Sequence, residues 1–228
     1  MKRSNATGLA GSKGWLADAY TVVTVDNRET GRAGPCPDGF TLADMGADVL
    51  AVMTELGHDR FFIGGISMGG MIAQEVIRQA PARVRSAVLL ATAGGQADYV
   101  PPADMTILLN PDPRGLWSSL CGPGWPEANP MIIEEEAALS VEAATPLDGI
   151  MRQIQAIAGW DPGDAVAASG VPVVVAHGDA DPLMPYENGV RLAKKLGAEL
   201  VTFEGAGHVL ESERVDDVVA LMRRVFVS

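Results

Sequence analysis

The sequence predicts an α/β protein built on a doubly wound, mostly parallel sheet with a helical insertion. Short apolar runs rich in β-branched residues alternate with longer segments of helical spacing, and this alternation is typical of parallel sheets covered by helices. Several runs are apolar at nearly every position, as expected of strands buried on both faces. At 228 residues the chain has the length of one domain with an insertion.

Five segments are predicted as strands and four as helices. The first helix begins at Thr41, which forms a capping-box pattern with Asp44, and it ends at Gly57. Another helix runs to about Ala80, and two more cover residues 188–196 and 215–226. The predicted strands are residues 20–26, 61–66, 84–92, 171–177 and 198–204.

Residues 99–160 break the alternation, because they contain no convincing strand. This stretch holds three of the four tryptophans and many of the prolines. About sixty residues without a strand are too many for a plain loop in a compact domain. We therefore predict an inserted helical element at 99–160 and a core formed by residues 1–98 and 161–228.

Composition and charge exclude several classes of protein. The chain is 47% apolar and 20% charged, which is ordinary for a globular protein and unlike a disordered one. Its net charge of −12 repels phosphate backbones, so we expect no nucleic-acid binding. No apolar run approaches the roughly 18 residues of a membrane span, and no leader peptide is recognisable, so we expect a cytoplasmic protein without a membrane partner. Cys36 and Cys121 match no metal-binding spacing.

A Gly-x-Ser-x-Gly motif lies between the second predicted strand and a helix. Gly65 and Gly69 flank Ser67 in a pattern that favours a sharp strand-to-helix turn, which projects the serine hydroxyl clear of the sheet. The same turn places the Met68 N–H at a helix N-terminus, where a developing negative charge is stabilised. The motif alone is only suggestive, but its position between strand and helix favours a nucleophilic serine.

A nucleophilic serine needs an adjacent base, and three histidines are available. His58 lies in a polar turn and is interpreted as a surface residue, and His177 ends a strand, where a structural role in the turn is favoured. His208 follows the last strand in a glycine-rich loop and is predicted to be the base, because the carboxyl ends of parallel strands share one sheet edge with the serine. The loop after the fourth strand offers two acids, Asp179 and Asp181.

Together these segments resemble the α/β-hydrolase superfamily, particularly its small bacterial esterases, enol-lactonases and cofactor-free haloperoxidase-like members. The resemblance runs from about Gly8 to Phe226. In that family the acid lies three residues after a glycine and four before a proline, and Asp181 has this spacing from Gly178 and Pro185. The resemblance therefore implies Asp181 as the acid, with Asp179 only capping the turn. The matching segments are residues 25–32, 65–70, 178–185 and 205–208.

The resemblance also implies roles for the insertion. Residues 99–160 are similar to the family's helical cap, which covers the site and shapes substrate choice. Its three tryptophans are expected to line a substrate pocket, although packing of the cap onto the sheet accounts for many of its apolar residues. These tryptophans are Trp117, Trp125 and Trp160.

The N-terminus departs from the family, whose members open with two or three strands and a His-Gly pair. Here Thr7 stands in the histidine position, and polar residues precede it, so we expect an α/β-hydrolase fold that lacks the opening strands. By resemblance, Leu9 N–H would join Met68 N–H in an oxyanion hole. The unprotected edge of strand 20–26 is expected to pair in a homodimer or to be masked by residues 1–15.

These features predict a serine esterase that needs no metal or organic cofactor. Ser67, His208 and Asp181 would cleave a small carboxylic ester or lactone through an acyl-enzyme. A lactonase or perhydrolase with the same triad is an alternative. So is a ligand-binding relative with slow turnover, which the reduced N-terminus suggests. A purely structural role is disfavoured, because three separate loops would carry triad residues without a purpose.

Overall fold

In the part of the chain that the structure describes, the sheet contains four parallel strands in chain order. A computed structural model describes residues 16–36, 38–142 and 145–227 of the chain, so Leu9 and the predicted masking by residues 1–15 lie outside it. Neighbouring strands pair in parallel throughout, and this confirms the predicted fold class. The strands are β1 (Phe61–Ile66), β2 (Val84–Leu90), β3 (Val173–Gly178) and β4 (Glu199–Phe203).

Ten α-helices and three short 3₁₀ segments surround the sheet in the described residues. The capping box predicted at Thr41 and Asp44 is present at the first helix. The 3₁₀ segments are Pro81–Arg83, Gln96–Asp98 and Met105–Leu109. The α-helices are α1 (Leu42–Glu55), α2 (Met68–Gln79), α3 (Pro113–Leu120), α4 (Trp125–Ala128), α5 (Pro130–Glu142), α6 (Leu147–Ile157), α7 (Ala165–Ala168), α8 (Tyr186–Leu196), α9 (Leu210–Glu213) and α10 (Val215–Val225).

Both faces of the sheet are buried, as the continuous apolar strands predict. On one face, Val88 and Leu90 of β2 belong to the same core cluster as Val218 and Met222 of α10. On the other face, Leu89 packs in a cluster with side chains of α2 and α8. Successive residues of a strand point to opposite faces, so this alternation is what a doubly wound sheet requires.

The predicted strand at residues 20–26 is wrong. Residues 21–27 form no strand, and the free edge of β1 faces them across two cavities of about 430 and 450 Å³. A segment forms a strand only when a neighbouring strand pairs with its backbone N–H and C=O groups. Among the described residues, no backbone hydrogen bond joins residues 21–27 to β1 or to another strand. The Tyr20 hydroxyl anchors the start of the segment by donating to Phe226 O at 2.6 Å.

Between Leu90 and β3 the described residues form helices and loops only, as predicted for the stretch around 99–160. The division into core and insertion stays a prediction. Within the part of the chain that the structure covers, every helix is too short or too polar to cross a membrane.

Candidate active site

Ser67 lies in a strained turn between β1 and α2. Its backbone has φ 54° and ψ −123°, a left-handed conformation that costs a non-glycine residue about 1–3 kcal/mol. The turn is held from both sides, since Ser67 N–H donates to Leu90 O at 2.9 Å and Thr92 Oγ1 donates to Ser67 O at 2.7 Å. Strain that neighbouring bonds maintain in this way is typical of functional sites.

The glycines of the motif have different roles. A Cβ on Gly65 would lie 2.1 Å from Gly69 O, so this position requires glycine for close backbone approach. A Cβ on Gly69 would meet nothing within 4 Å, whereas one on Gly70 would lie 2.6 Å from Thr92 Cγ2. The turn therefore depends on Gly65 and Gly70, and the second glycine of the motif is not required by packing.

The turn also sets the direction of the Met68 N–H. Met68 is the first residue of α2, and the first N–H groups of a helix have no partner within the helix. A partial positive charge at this end favours an anion. The Met68 N–H therefore lies at a helix end that favours an anion, its role in an oxyanion hole stays a prediction, and its predicted partner Leu9 is outside the described residues.

Asp181 and His208 form a buried, hydrogen-bonded pair. Asp181 follows β3, His208 follows β4, and His208 Nδ1 lies 2.8 Å from Asp181 Oδ2. The other carboxylate oxygen accepts from Leu183 N at 2.9 Å and from Met184 N at 2.7 Å. Burial alone would raise the pKa of Asp181, but hydrogen bonds from the two neighbouring histidines and from backbone lower it to about 2. Asp181 is therefore ionised at neutral pH.

A second histidine contacts the same acid. His177 is fully buried at the end of β3, and its Nε2 lies 2.7 Å from Met184 O and 3.4 Å from Asp181 Oδ2. Since a carbonyl only accepts, Nε2 carries the proton. The sequence suggested only a structural role in the turn, and the contact with the acid was missed, because it depends on the loop after Asp181 folding back over the strand.

The loop that carries His208 is anchored to the end of α3. His208 N–H donates to Leu120 O at 2.7 Å, and a Cβ on Gly207 would lie 2.3 Å from the same oxygen. Asp179 also contributes, because its Oδ1 accepts from Gly205 N at 2.6 Å. These contacts fix where the imidazole lies and explain why the loop is rich in glycine.

Glu211 is a second buried acid on this side of the molecule. It lies in α9, three residues after His208, and among the described residues its Oε2 has no hydrogen-bond partner. Burial, with further repulsion from Glu136 and Glu213, raises its pKa to about 8. No sequence signal indicates that this group is buried, because its Glu-Ser-Glu segment has the composition of a solvated helix.

The structure places Ser67 and the Asp181–His208 pair after the carboxyl ends of parallel strands. The Ser67 hydroxyl makes no hydrogen bond to any residue that the structure describes, so its approach to His208 stays a prediction. A cavity of about 250 Å³ opens beside Ser67 and Met68. Its other lining side chains are almost all apolar, and they include Met71, Tyr99, Leu108, Ile154, Ile157, Trp160 and Met184.

The three tryptophans predicted to line a pocket lie in two places. Trp160 lines the cavity beside Ser67, and its Nε1 donates to Glu75 Oε1 at 2.8 Å. Trp117 and Trp125 instead pack in a separate apolar cluster with Leu120 and neighbouring residues. In the described part of the chain, no group of three or more His, Cys, Asp or Glu side chains is arranged to hold a metal ion.

A model of the alpha/beta hydrolase family matches residues 9–221. One similar curated protein is the dihydrolipoyllysine-residue acetyltransferase component of the acetoin cleaving system of Cupriavidus necator. It is 28% identical over 225 residues, and the alignment covers 92% of this chain. The chain spans only 57% of the length of that protein.

Two solved structures are similar over nearly the whole chain. A thermophilic esterase from Thermogutta terrifontis is 21% identical with a TM-score of 0.78, covering 98% of this chain and 85% of that one. This identity is low enough that the likeness shows the fold alone. The enzyme Est816, described as degrading N-acyl homoserine lactones, is 26% identical with a TM-score of 0.77, covering 98% of this chain and 90% of that one.

Proposed function

The chain belongs to the alpha/beta hydrolase family, and from that membership we propose that it is a serine esterase acting on carboxylic esters through an acyl-enzyme. One observation carries the proposal: a strained serine and a buried Asp–His pair follow the carboxyl ends of parallel strands in the same sheet. Loops at that edge converge in α/β proteins. The substrate is a small molecule, and the reaction needs no cofactor.

The hydrogen-bond pattern supports a defined role for each nitrogen of His208. Because Asp181 is ionised, its carboxylate accepts the bond from Nδ1–H. The Nε2 of the neutral ring then carries a lone pair and can take a proton. His208 is accordingly the base that removes the proton from the Ser67 hydroxyl.

The reaction then proceeds in two balanced halves. Ser67 Oγ attacks the ester carbonyl, the Met68 N–H (with Leu9 N–H as its proposed partner) stabilises the oxyanion, and His208 gives its proton to the departing alcohol. Water repeats the sequence on the acyl-enzyme, giving up its proton to His208, and the Ser67 hydroxyl is restored. Asp181 stabilises the imidazolium in both halves.

Lactone hydrolysis is a second candidate for the same site. The similarity to Est816, described as a lactone-degrading enzyme, favours it. A lactone is a cyclic ester, so the same attack on the carbonyl opens the ring, and the alcohol stays attached to the acyl group. Initial rates on p-nitrophenyl butyrate and on an N-acyl homoserine lactone, measured on the same preparation, would rank the two substrates.

The decisive variant for the proposed function is Ser67→Ala. We expect it to abolish turnover of p-nitrophenyl acetate, reducing kcat by about 10⁴-fold or more, and to abolish labelling by a fluorophosphonate. Ser169→Ala is a matched control, because Ser169 Oγ donates to Val166 O and accepts from Val171 N just before the amino end of β3, at the opposite edge of the sheet from Ser67. Undiminished turnover by Ser67→Ala would disprove the assignment. Labelling of Ser67 without multiple turnovers would indicate a ligand-binding relative.

A further inference from the structure

Helix α6 carries an apolar stripe on its exposed side. Leu147, Ile150, Met151 and Ile154 are spaced by three and four residues, which places them on one helix face. They are 67%, 36%, 54% and 37% exposed. An exposed run of this kind marks an interaction or ligand site more often than a solvated surface.

The other side of α6 fixes the stripe in its outward orientation. Gly149 is buried, and a Cβ there would lie 2.9 Å from Glu29 Oε2. Arg152 pairs with Glu29 at 2.7 Å, and Gln153 Nε2 donates to Arg28 O at 2.8 Å. Rotating the helix to bury the stripe would break these contacts, so the exposed face is a built feature of this packing.

The stripe leads directly into the cavity beside Ser67. Ile154 lines that cavity together with Ile157 from the last turn of the helix. Ile154 also lines an open groove with Leu147 and Met151 on the outer surface. One apolar surface therefore runs from the serine to the outside of the protein along α6, over about 15 Å at 1.5 Å per residue.

The size of the cavity limits what it holds alone. Its volume of about 250 Å³ is below the roughly 300–1,000 Å³ of typical small-molecule sites. A short acyl group fits within this cavity, and a longer apolar chain placed in it would extend past Ile154 onto the stripe, which continues the cavity lining.

We propose that the α6 stripe is the outer part of the substrate site and binds the apolar chain of an ester or lactone whose carbonyl lies at Ser67. The substrate class is thereby an ester with an extended acyl or alkyl chain, and this rests on the proposed function. The stripe is too small to favour a second copy of the chain as its occupant. The exposed fractions of its four side chains add up to about two fully exposed side chains, which is a small area beside the roughly 800 Å² per partner of a stable interface.

The test compares ester chain lengths in stripe variants. The double variant Leu147→Gln with Met151→Gln keeps residues that favour a helix and removes the two most exposed apolar side chains of the stripe. Leu56→Gln is the matched control, because Leu56 is 53% exposed and precedes β1, at the opposite edge of the sheet from Ser67. The substrates are p-nitrophenyl acetate, butyrate, octanoate and decanoate below their micellar concentrations.

We expect the native protein to prefer the longer esters and the double variant to lose that preference. A fully buried methylene contributes about fourfold and a partly covered one less, so kcat/KM for decanoate should fall about tenfold or more, and for acetate less than about twofold. Leu56→Gln should change neither. Equal losses on all four esters, or an unchanged value for decanoate, would overturn the proposal.

A binding measurement separates this proposal from the proposed function. Decanoic acid titrated into Ser67→Ala by calorimetry should bind, and the stripe variants should weaken that binding even if the protein hydrolyses no ester. Absence of binding would overturn the stripe proposal while leaving turnover of acetate as evidence for the esterase. Light scattering is the last check: a dimer that the double variant dissociates would assign the stripe to self-association and overturn the proposal as well.

Discussion

Asp181 and Glu211 are two buried carboxyl groups, one in the loop after β3 and one in α9, and their surroundings shift their pKa values in opposite directions. Each side chain belongs to a residue that is only 7% exposed. Asp181 accepts hydrogen bonds from His208 and from two backbone N–H groups, and its pKa is lowered to about 2. Glu211 has an oxygen without a partner among the described residues, and its pKa is raised to about 8.

The difference shows that hydrogen-bond donors, rather than the degree of burial, decide whether each of these two carboxyl groups is charged. Burial raises the pKa of both groups, and only Asp181 has enough donors to reverse that effect. At neutral pH Asp181 is an anion and can stabilise an imidazolium, whereas Glu211 is largely a neutral acid. Asp181 thus contributes stability that is present above its ordinary pKa near 4 and is lost as the pH falls toward 2. Glu211 lowers stability as the pH rises from about 4.5 to 8.

The largest effect should come from removing the charge of Asp181. We expect Asp181→Asn to reduce kcat for p-nitrophenyl acetate by about 10⁴-fold, because an amide neither fixes the required imidazole tautomer nor stabilises the imidazolium. Asp179→Asn is the control, since it makes the same change two residues away and affects only the bond from Gly205 N. Activity of Asp181→Asn within tenfold of the native protein would show that the pair is structural.

The comparison also indicates what sequence can predict in the fold. The four strands of the sheet were predicted because each is an apolar run with helices around it. Residues 20–26 have a similar β-branched pattern but form no strand, since strand formation requires a partner on the far side of the gap next to β1. The local sequence pattern shows which residues suit a strand, but it does not show whether a neighbouring strand is present to pair with them.

The features of the candidate site also fall into those that the sequence could predict and those that it could not. The positions of Ser67 and His208 after parallel strands could be predicted from short motifs, whereas the choice of Asp181 over Asp179 rested on the family resemblance. The catalytic roles of all three residues stay predictions. The contact of His177 with the acid and the burial of Glu211 could not be predicted. They depend on loops folding back and on Glu136 of α5 approaching from the helical segment. Such contacts join residues whose local sequences look like an ordinary strand end and an ordinary solvated helix.

A smaller loss of activity should follow the removal of a donor from beside Asp181. We expect His177→Leu to lower kcat by about tenfold with little change in KM, because the Nε2–H that donates to Met184 O also lies 3.4 Å from Asp181 and helps to keep that carboxylate charged. His177→Leu should also raise the pKa of Asp181, so the free energy of unfolding should increase less as the pH rises from about 2 to about 4. Denaturant unfolding at several acidic pH values measures that change.

The conservative variant makes this prediction specific. His177→Gln keeps an N–H donor and should recover most of the activity that His177→Leu loses. If both variants lose the same activity, or if the acid-dependent stability is unchanged in His177→Leu, then His177 only fills space in the core.

The smallest effect should come from Glu211 and should appear in stability. Because Glu211 must stay protonated or bury a charge above its ordinary pKa, replacing it with glutamine should increase the free energy of unfolding at pH 7.5 by roughly 1–3 kcal/mol. The gain should shrink as the pH falls toward 4.5, where glutamate is protonated in the unfolded chain as well. Glu135→Gln makes the same change on the exposed face of α5 and should alter stability by less than about 0.5 kcal/mol. Urea unfolding of the three proteins at both pH values measures the difference. A gain that does not depend on pH would mean that the ionisation of Glu211 does not destabilise the protein, and that the contrast with Asp181 lies in packing.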